Sequence, residues 1–300
     1  MKKVMIITIG IILGFVLSIY SAAANNAEET LYPINCESEV WKTFNTHDEM
    51  VEACKIDAEI LEYYMTEDLL IVVLEYPLIG DILAYDSPIK GIEQVSGYCT
   101  ALELFIQRSD ATEIVENAKS NIEVIKSKLN APEVSIAIAP LIIEDLYNYL
   151  VPQQVMASST SVYTPRGTSV YVEIHNELDY EELNETDNYF ISYYPNATVV
   201  CRSTYKFNCH SYAWYSATTS NIYWMPNSNS YRTDGSYTQV TSISNASRLY
   251  YYQADHSGRV YSVSPSGLAA SSVISKWGYA PLMIHTTYYC PYGSNVTLWR

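Results

Sequence analysis

The chain has 300 residues, with 33 acidic against 17 basic side chains and a formal net charge of −16 at pH 7. A surface this anionic cannot neutralise the phosphates of a nucleic acid, and it is repelled by anionic lipid. The length suits two modest domains, or one domain with a large extension.

Lys2 and Lys3 form a short positive segment, the run from Val4 to Tyr20 is apolar, and Ser21-Ala22-Ala23-Ala24 is a small-residue stretch. This is the layout of a secretory signal peptide, so residues 1–24 are expected to be removed and the rest exported. The alternative is an uncleaved anchor, since the apolar stretch is close to the ~17-residue lower limit for spanning. No later segment is apolar enough to span, so no stable membrane insertion is expected after cleavage.

Residues 25–150 read as an acidic helical domain. Thr46-His47-Asp48-Glu49 fits a capping box, and Val51, Cys54, Ala58 and Leu61 follow at helical spacing. Thr66-Glu67-Asp68 marks a second N-terminus, and Pro77 should end that helix. Tyr85-Asp86-Ser87-Pro88 reads as a turn, followed by an amphipathic stretch from about Ile92 to Gln107. Asp110-Ala111-Thr112-Glu113 is expected to open a helix to about Leu129. Pro132, Pro140 and Pro152 punctuate residues 131–160, which read as transitional.

From residue 161 the grammar changes. Residues 25–160 hold 24 acidic and 7 basic side chains, residues 161–300 hold 9 and 8, and 20 of the 29 tyrosines follow residue 160. Such a contrast suggests two domains, the second over 161–300. Val162–Val172 reads as strand, turn, strand around Pro165 and Gly167; Glu177–Asp187 as loop or short helix; Ala197–Arg202 as a short strand. Six cysteines fall three to each region without a C-x-x-C spacing. A structural zinc site is therefore not expected, and disulfide connectivity stays open.

Two segments carry chemistry. In Asn208-Cys209-His210-Ser211-Tyr212-Ala213-Trp214 a polar residue precedes Cys209 and a helix-compatible run follows it. A thiol at a helix N-terminus is biased toward thiolate, and the free N–H groups there can receive an oxyanion. His256 lies 47 residues on, in Asp255-His256-Ser257-Gly258, just before a β-prone run; Ser271–Trp277 reads as that strand's hairpin partner. A helix-opening Cys and a hairpin-opening His are what a thiol nucleophile and its base require. His210 is expected to point away from Cys209 and pack, and Asp255 to face opposite to His256.

In order and context this half resembles the NlpC-type and CHAP-type branches of the papain-like cysteine hydrolases. The segments NCHSYAWY, YW, TDGSY, DHSG, SKWG and CPY further resemble a group of exported proteins of Gram-positive bacteria. The resemblance implies an α+β fold: a helical N-terminal domain, then a papain-like domain whose nucleophile helix packs on an antiparallel sheet. It implies a secreted or cell-surface amidase or peptidase that needs no cofactor or metal and acts on a cell-wall peptide or another extracellular amide. Cys209 and His256 would be catalytic. Hairpin register puts Lys276 nearest the third position, where the superfamily uses a hydrogen-bond acceptor; a protonated Lys cannot accept. A backbone carbonyl or His285 would be the substitute. The same fold with a degenerate site would make a non-catalytic binding or structural module instead.

Overall fold

A computed structural model describes residues 31–151 and 157–300. The expected signal peptide and Pro152 lie outside these. Among the described residues no helix is long and apolar enough to cross a membrane.

Local sequence rules account for several helices. Thr46 accepts the Glu49 N–H at 3.3 Å and Glu49 returns to the Thr46 N–H at 3.2 Å, opening His47–Ala53. Thr66–Glu75 buries Leu69, Leu70, Val72, Val73 and Leu74 and stops two residues before Pro77. Elsewhere tertiary contacts win. The Asp110 carboxylate makes no cap because it accepts the Thr66 hydroxyl at 2.8 Å, and the helix breaks at Asn121 into Ala111–Ser120 and Ile122–Lys128. The stretch after Ile92 also divides, into Pro88–Ser96 and Thr100–Ile106.

The region read as transitional contains an 18-residue helix, Glu133–Leu150, that runs through Pro140. Pro140 cannot donate to the carbonyl one turn back, a loss of ~3 kcal/mol. Burial of Ile138, Ile142, Ile143 and Leu146 outweighs it, at roughly 1.5–3 kcal/mol each.

The second half is β-rich. Strands β1 (Ser158–Tyr163) and β2 (Ser169–Ile174) form the expected hairpin. Helix Tyr180–Tyr193 follows, opened by a capping box between Asp179 and Glu182. The main sheet comprises β3 (Thr198–Cys201), β4 (Gln239–Val240), β5 (Arg248–Tyr251), β6 (His256–Ser262), β7 (Ser272–Lys276), β8 (Leu282–Thr286) and β9 (Val296–Trp299). All pairs are antiparallel, in the order β3-β8-β7-β6-β5-β9-β4. The fold is thus mixed α+β with antiparallel sheets.

Tyr32–Arg300 forms one compact unit, so the boundary expected near 150–161 falls inside it. The reason is a polar and aromatic seam. Tyr189 donates to the Pro77 carbonyl at 2.7 Å and accepts the Gly80 N–H at 3.0 Å. A Cβ on Gly80 would lie 2.2 Å from the Tyr189 ring, so only glycine admits this approach. Tyr194 and Trp277 meet edge to face beside Asp81, whose carboxylate accepts the Tyr194 hydroxyl. Gly278, at φ +50, lets the Tyr85 carbonyl pass 2.4 Å from where a Cβ would stand.

Because the seam belongs to both halves, a fragment of residues 161–300 is expected to lack a cooperative urea transition by circular dichroism. Gly80→Ala in the full chain should lower stability by about 1–3 kcal/mol, the usual range for overpacking. A well-folded fragment, or an unchanged Gly80→Ala midpoint, would contradict this account.

Candidate functional site

Asn208 builds the nucleophile turn. Its Oδ1 accepts the Ser211 and Met225 N–H groups, each at 3.1 Å, and its Nδ2 donates to Met225 O at 2.8 Å and Asp86 at 2.9 Å. Cys209 then opens a helical turn that widens to a π-turn over Ser211–Tyr215. The Cys209 side chain is 1% exposed, with the Asp86 carboxylate oxygens 3.8 and 4.0 Å from its sulfur. Burial and then the Asp86 charge push the thiol well above its ordinary value, and the Ser257 backbone N–H aimed at the sulfur offsets this only in part. In this closed arrangement Cys209 is a thiol, not a thiolate. Burial likewise pushes Asp86 up, against His210 and Lys90, which draw it down.

His256 opens β6 opposite Tyr251 of β5, as expected for the mouth of a hairpin. Its ring is 2% exposed and lies face to face on Tyr292, with centroids 3.4 Å apart and planes 8° apart. Nε2 is buried with no hydrogen-bond partner among the described residues. Cys209 and His256 line one small pocket with Asp86, Lys90, Asp255 and Tyr292, too tight for a water molecule. Burial, then the neighbouring His210 and His285, hold His256 well below the ordinary histidine range. At neutral pH it is a free imidazole, the form that accepts a proton.

Lys276 ends β7, the hairpin partner of the strand that His256 opens, but its side chain bonds elsewhere. Its ammonium is buried and donates to the Gly278 carbonyl at 2.7 Å and to that of Ala280, with no bond to His256. The turn carbonyls after β7 outcompete the imidazole, and burial lowers this amine to about 7. His285 is not the substitute acceptor either. Its Nε2 meets Ser275 Oγ at 2.9 Å, its Nδ1 meets Thr286 O at 2.8 Å, and burial lowers it to about 4. All six cysteines are free. Asp234 also lies apart, accepting the Thr164 hydroxyl and the Ser236 N–H in loop bonding beside the β1–β2 hairpin.

Three residues that the sequence assigned to packing, to an opposite face and to a turn complete the centre. His210 does not point away. Trp214 Nε1 donates to Ser257 Oγ at 2.7 Å, and that hydroxyl meets His210 Nδ1 at 2.8 Å. Ser228 Oγ lies 3.2 Å from the same Nδ1, and Nε2 sits 3.2 Å from an Asp255 carboxylate oxygen, within ion-pair range but outside hydrogen-bond geometry. Asp255 adopts φ 49 and accepts Lys90 at 2.7 Å and the Tyr250 hydroxyl at 2.9 Å. Burial opposes its ionisation, but the adjoining His210 and Lys90 hold it below the usual carboxylate range. Asp86 comes from the Tyr85–Pro88 turn, and no spacing in the chain pairs it with Cys209. A His210 ring nitrogen, the Cys209 sulfur and an Asp86 oxygen lie within 4.8 Å of one another, a mixed N, S, O set of the kind that can ligate zinc.

No family model, no curated protein and no solved structure matches this chain. The site therefore stands on its own geometry.

Asp86→Asn keeps the shape but removes the charge that opposes the thiolate. The pH profile of Cys209 alkylation by iodoacetamide should move to lower pH; an unchanged profile would show that Asp86 does not control the thiol. Lys276 makes a second test. Its value falls from 10.5 to about 7 in the folded protein, so between these limits the unfolded chain binds a proton the folded chain lacks. Stability from this group is present above about 10.5 and is lost as pH falls to about 7, below which it is flat. Lys276→Met should abolish that slope in urea titrations, and a retained slope would refute the assignment.

Proposed function

We propose that the chain is an exported thiol-dependent amide hydrolase of the papain-like kind, with Cys209 as nucleophile and His256 as base. The observation that carries this reading is the meeting of a capped, turn-opening Cys209 and a neutral, strand-opening His256 in one pocket. His256 takes the thiol proton as sulfur attacks the amide carbon. The C–N bond then breaks, the imidazolium returns the proton to the leaving amine, and water, deprotonated by the same imidazole, releases the acyl group as a carboxylic acid. N–H groups of the Cys209 turn receive the oxyanion. Asp86 moves off the sulfur to admit substrate. A cell-wall peptide or another extracellular amide is the substrate class.

One observation favours a second reading. His256 Nε2 is buried without a hydrogen-bond partner among the described residues, and Cys209 is closed off, as in a module that binds without catalysis.

Hydrolysis of muropeptides and of simple peptide amides by the full chain separates the two. Cys209→Ala should abolish turnover without loss of fold, and His256→Ala should slow it at least ~100-fold. Lys276→Met should matter far less. If His210→Gln abolishes turnover while His256→Ala spares it, the base is His210 and the assignment of His256 is wrong. A wild-type protein inert toward every amide, with Cys209 unreactive to iodoacetamide, leaves the binding module.

A further inference from the structure

Beside the thiol pocket is a second cavity of about 420 Å³, within the range of small-molecule sites. Asp86 lines both, so a single carboxylate forms part of each wall. Five carboxylates face the larger cavity, from Asp86, Glu144, Asp145, Glu173 and Glu182, and among the described residues no Lys or Arg does. Two have local partners, Glu144 the Lys119 ammonium at 2.7 Å and Glu173 a His175 ring nitrogen at 2.9 Å. The Lys206 ammonium is occupied by the His175 carbonyl at 2.9 Å.

Asp145 has no such relief. It is 7% exposed, its hydrogen bond comes from the Tyr279 hydroxyl at 3.0 Å, and no cation pairs with it among the described residues. Burial pushes it up to about 7. Aromatic rings supply another part of the wall. Tyr205 meets Trp224 edge-on at 4.8 Å and Tyr279 at 5.8 Å, and the His175 ring lies 4.4 Å from Tyr205. An anion would be repelled here, and an apolar guest would leave the carboxylates desolvated without partners. An ammonium group gains from both the ring faces and the carboxylates.

We infer that this cavity binds an ammonium-bearing part of the substrate, either a lysine-like side chain or a free N-terminus, and holds the adjoining amide beside Cys209. The last clause rests on the amidase reading; the cation preference does not.

The test uses the full chain carrying Cys209→Ala, titrated calorimetrically at neutral pH with three probes. Nα-acetyl-lysinamide offers a side-chain ammonium, norleucinamide an α-ammonium, and Nα-acetyl-norleucinamide neither. At least one cationic probe should bind ~10-fold more tightly than the neutral one, the scale of a desolvated cation–π and carboxylate contact. The tighter of the two identifies the source of the ammonium. Asp145→Asn and Glu173→Gln should each erode the preference several-fold, with thermal melting confirming that each variant is folded. Equal binding of all three probes, no binding at millimolar concentration, or a preference untouched by both substitutions would overturn the inference. A cation preference in a protein that never hydrolyses an amide sinks the amidase reading alone, and turnover without the preference sinks the pocket alone.

Discussion

Asp81 is a carboxyl group with no exposure, and the fold is arranged to satisfy it. His47 Nε2 reaches it at 2.8 Å and the Tyr98 hydroxyl at 3.0 Å, both from the helical half; the Tyr194 hydroxyl comes from the β-rich half. A buried carboxyl without donors would cost several kcal/mol, so these three elements must converge on the Ile79–Ala84 turn. The next residues carry that constraint onward. Ala84 O accepts the Tyr292 hydroxyl at 2.7 Å, and Tyr85 donates to the Pro291 carbonyl. Tyr292 is the plate on which His256 lies, and Asp86 is the group that meets Cys209. A structural requirement in the core thus fixes the position of both candidate catalytic side chains.

The same linkage sets the electrostatics of the site. A thiolate and a carboxylate 3.8 Å apart in a buried pocket oppose each other, so Cys209 keeps its proton while Asp86 is in place. The candidate base meets no such obstacle, because burial already holds His256 neutral. Lys90 and Asp255 tie the helix after the Asp86 turn to the residue before His256, through a part-exposed ion pair worth at most about 1 kcal/mol. The closed state is therefore held at Asp86 mainly by packing and by the Asn208 amide, not by that pair.

Much of the second half was legible because its signals are local. The β1–β2 turn, the strand opened by His256, its β7 partner and the turn opened by Cys209 each follow from residues within a few positions. Capping worked where nothing competed, as at Thr46, and failed at Asp110, where Thr66 from another helix claimed the carboxylate. Pro140 misled because a proline's local penalty is visible in sequence, whereas the apolar burial that exceeds it depends on which face meets the core. Lys276 misled for a related reason. Counting register along a hairpin gives a position, but the carbonyls that capture the amine belong to a turn whose path depends on Gly278 and Tyr85.

By itself the sequence determined the acidic character, the change from helical to strand grammar near residue 160, and the pairing of Cys209 with His256 as residues suited to one chemistry. Those are properties of composition and of short-range periodicity, which survive without knowledge of the partners. Tertiary structure alone decided that the two halves fold as one unit, that Asp86 covers the thiol from 123 residues away, and that His210 turns inward toward Asp255. It also decided that carboxylates from four separate segments share a cavity with three aromatic rings. Each of these depends on long-range burial, where the cost of an unsatisfied polar group selects partners that no spacing along the chain encodes.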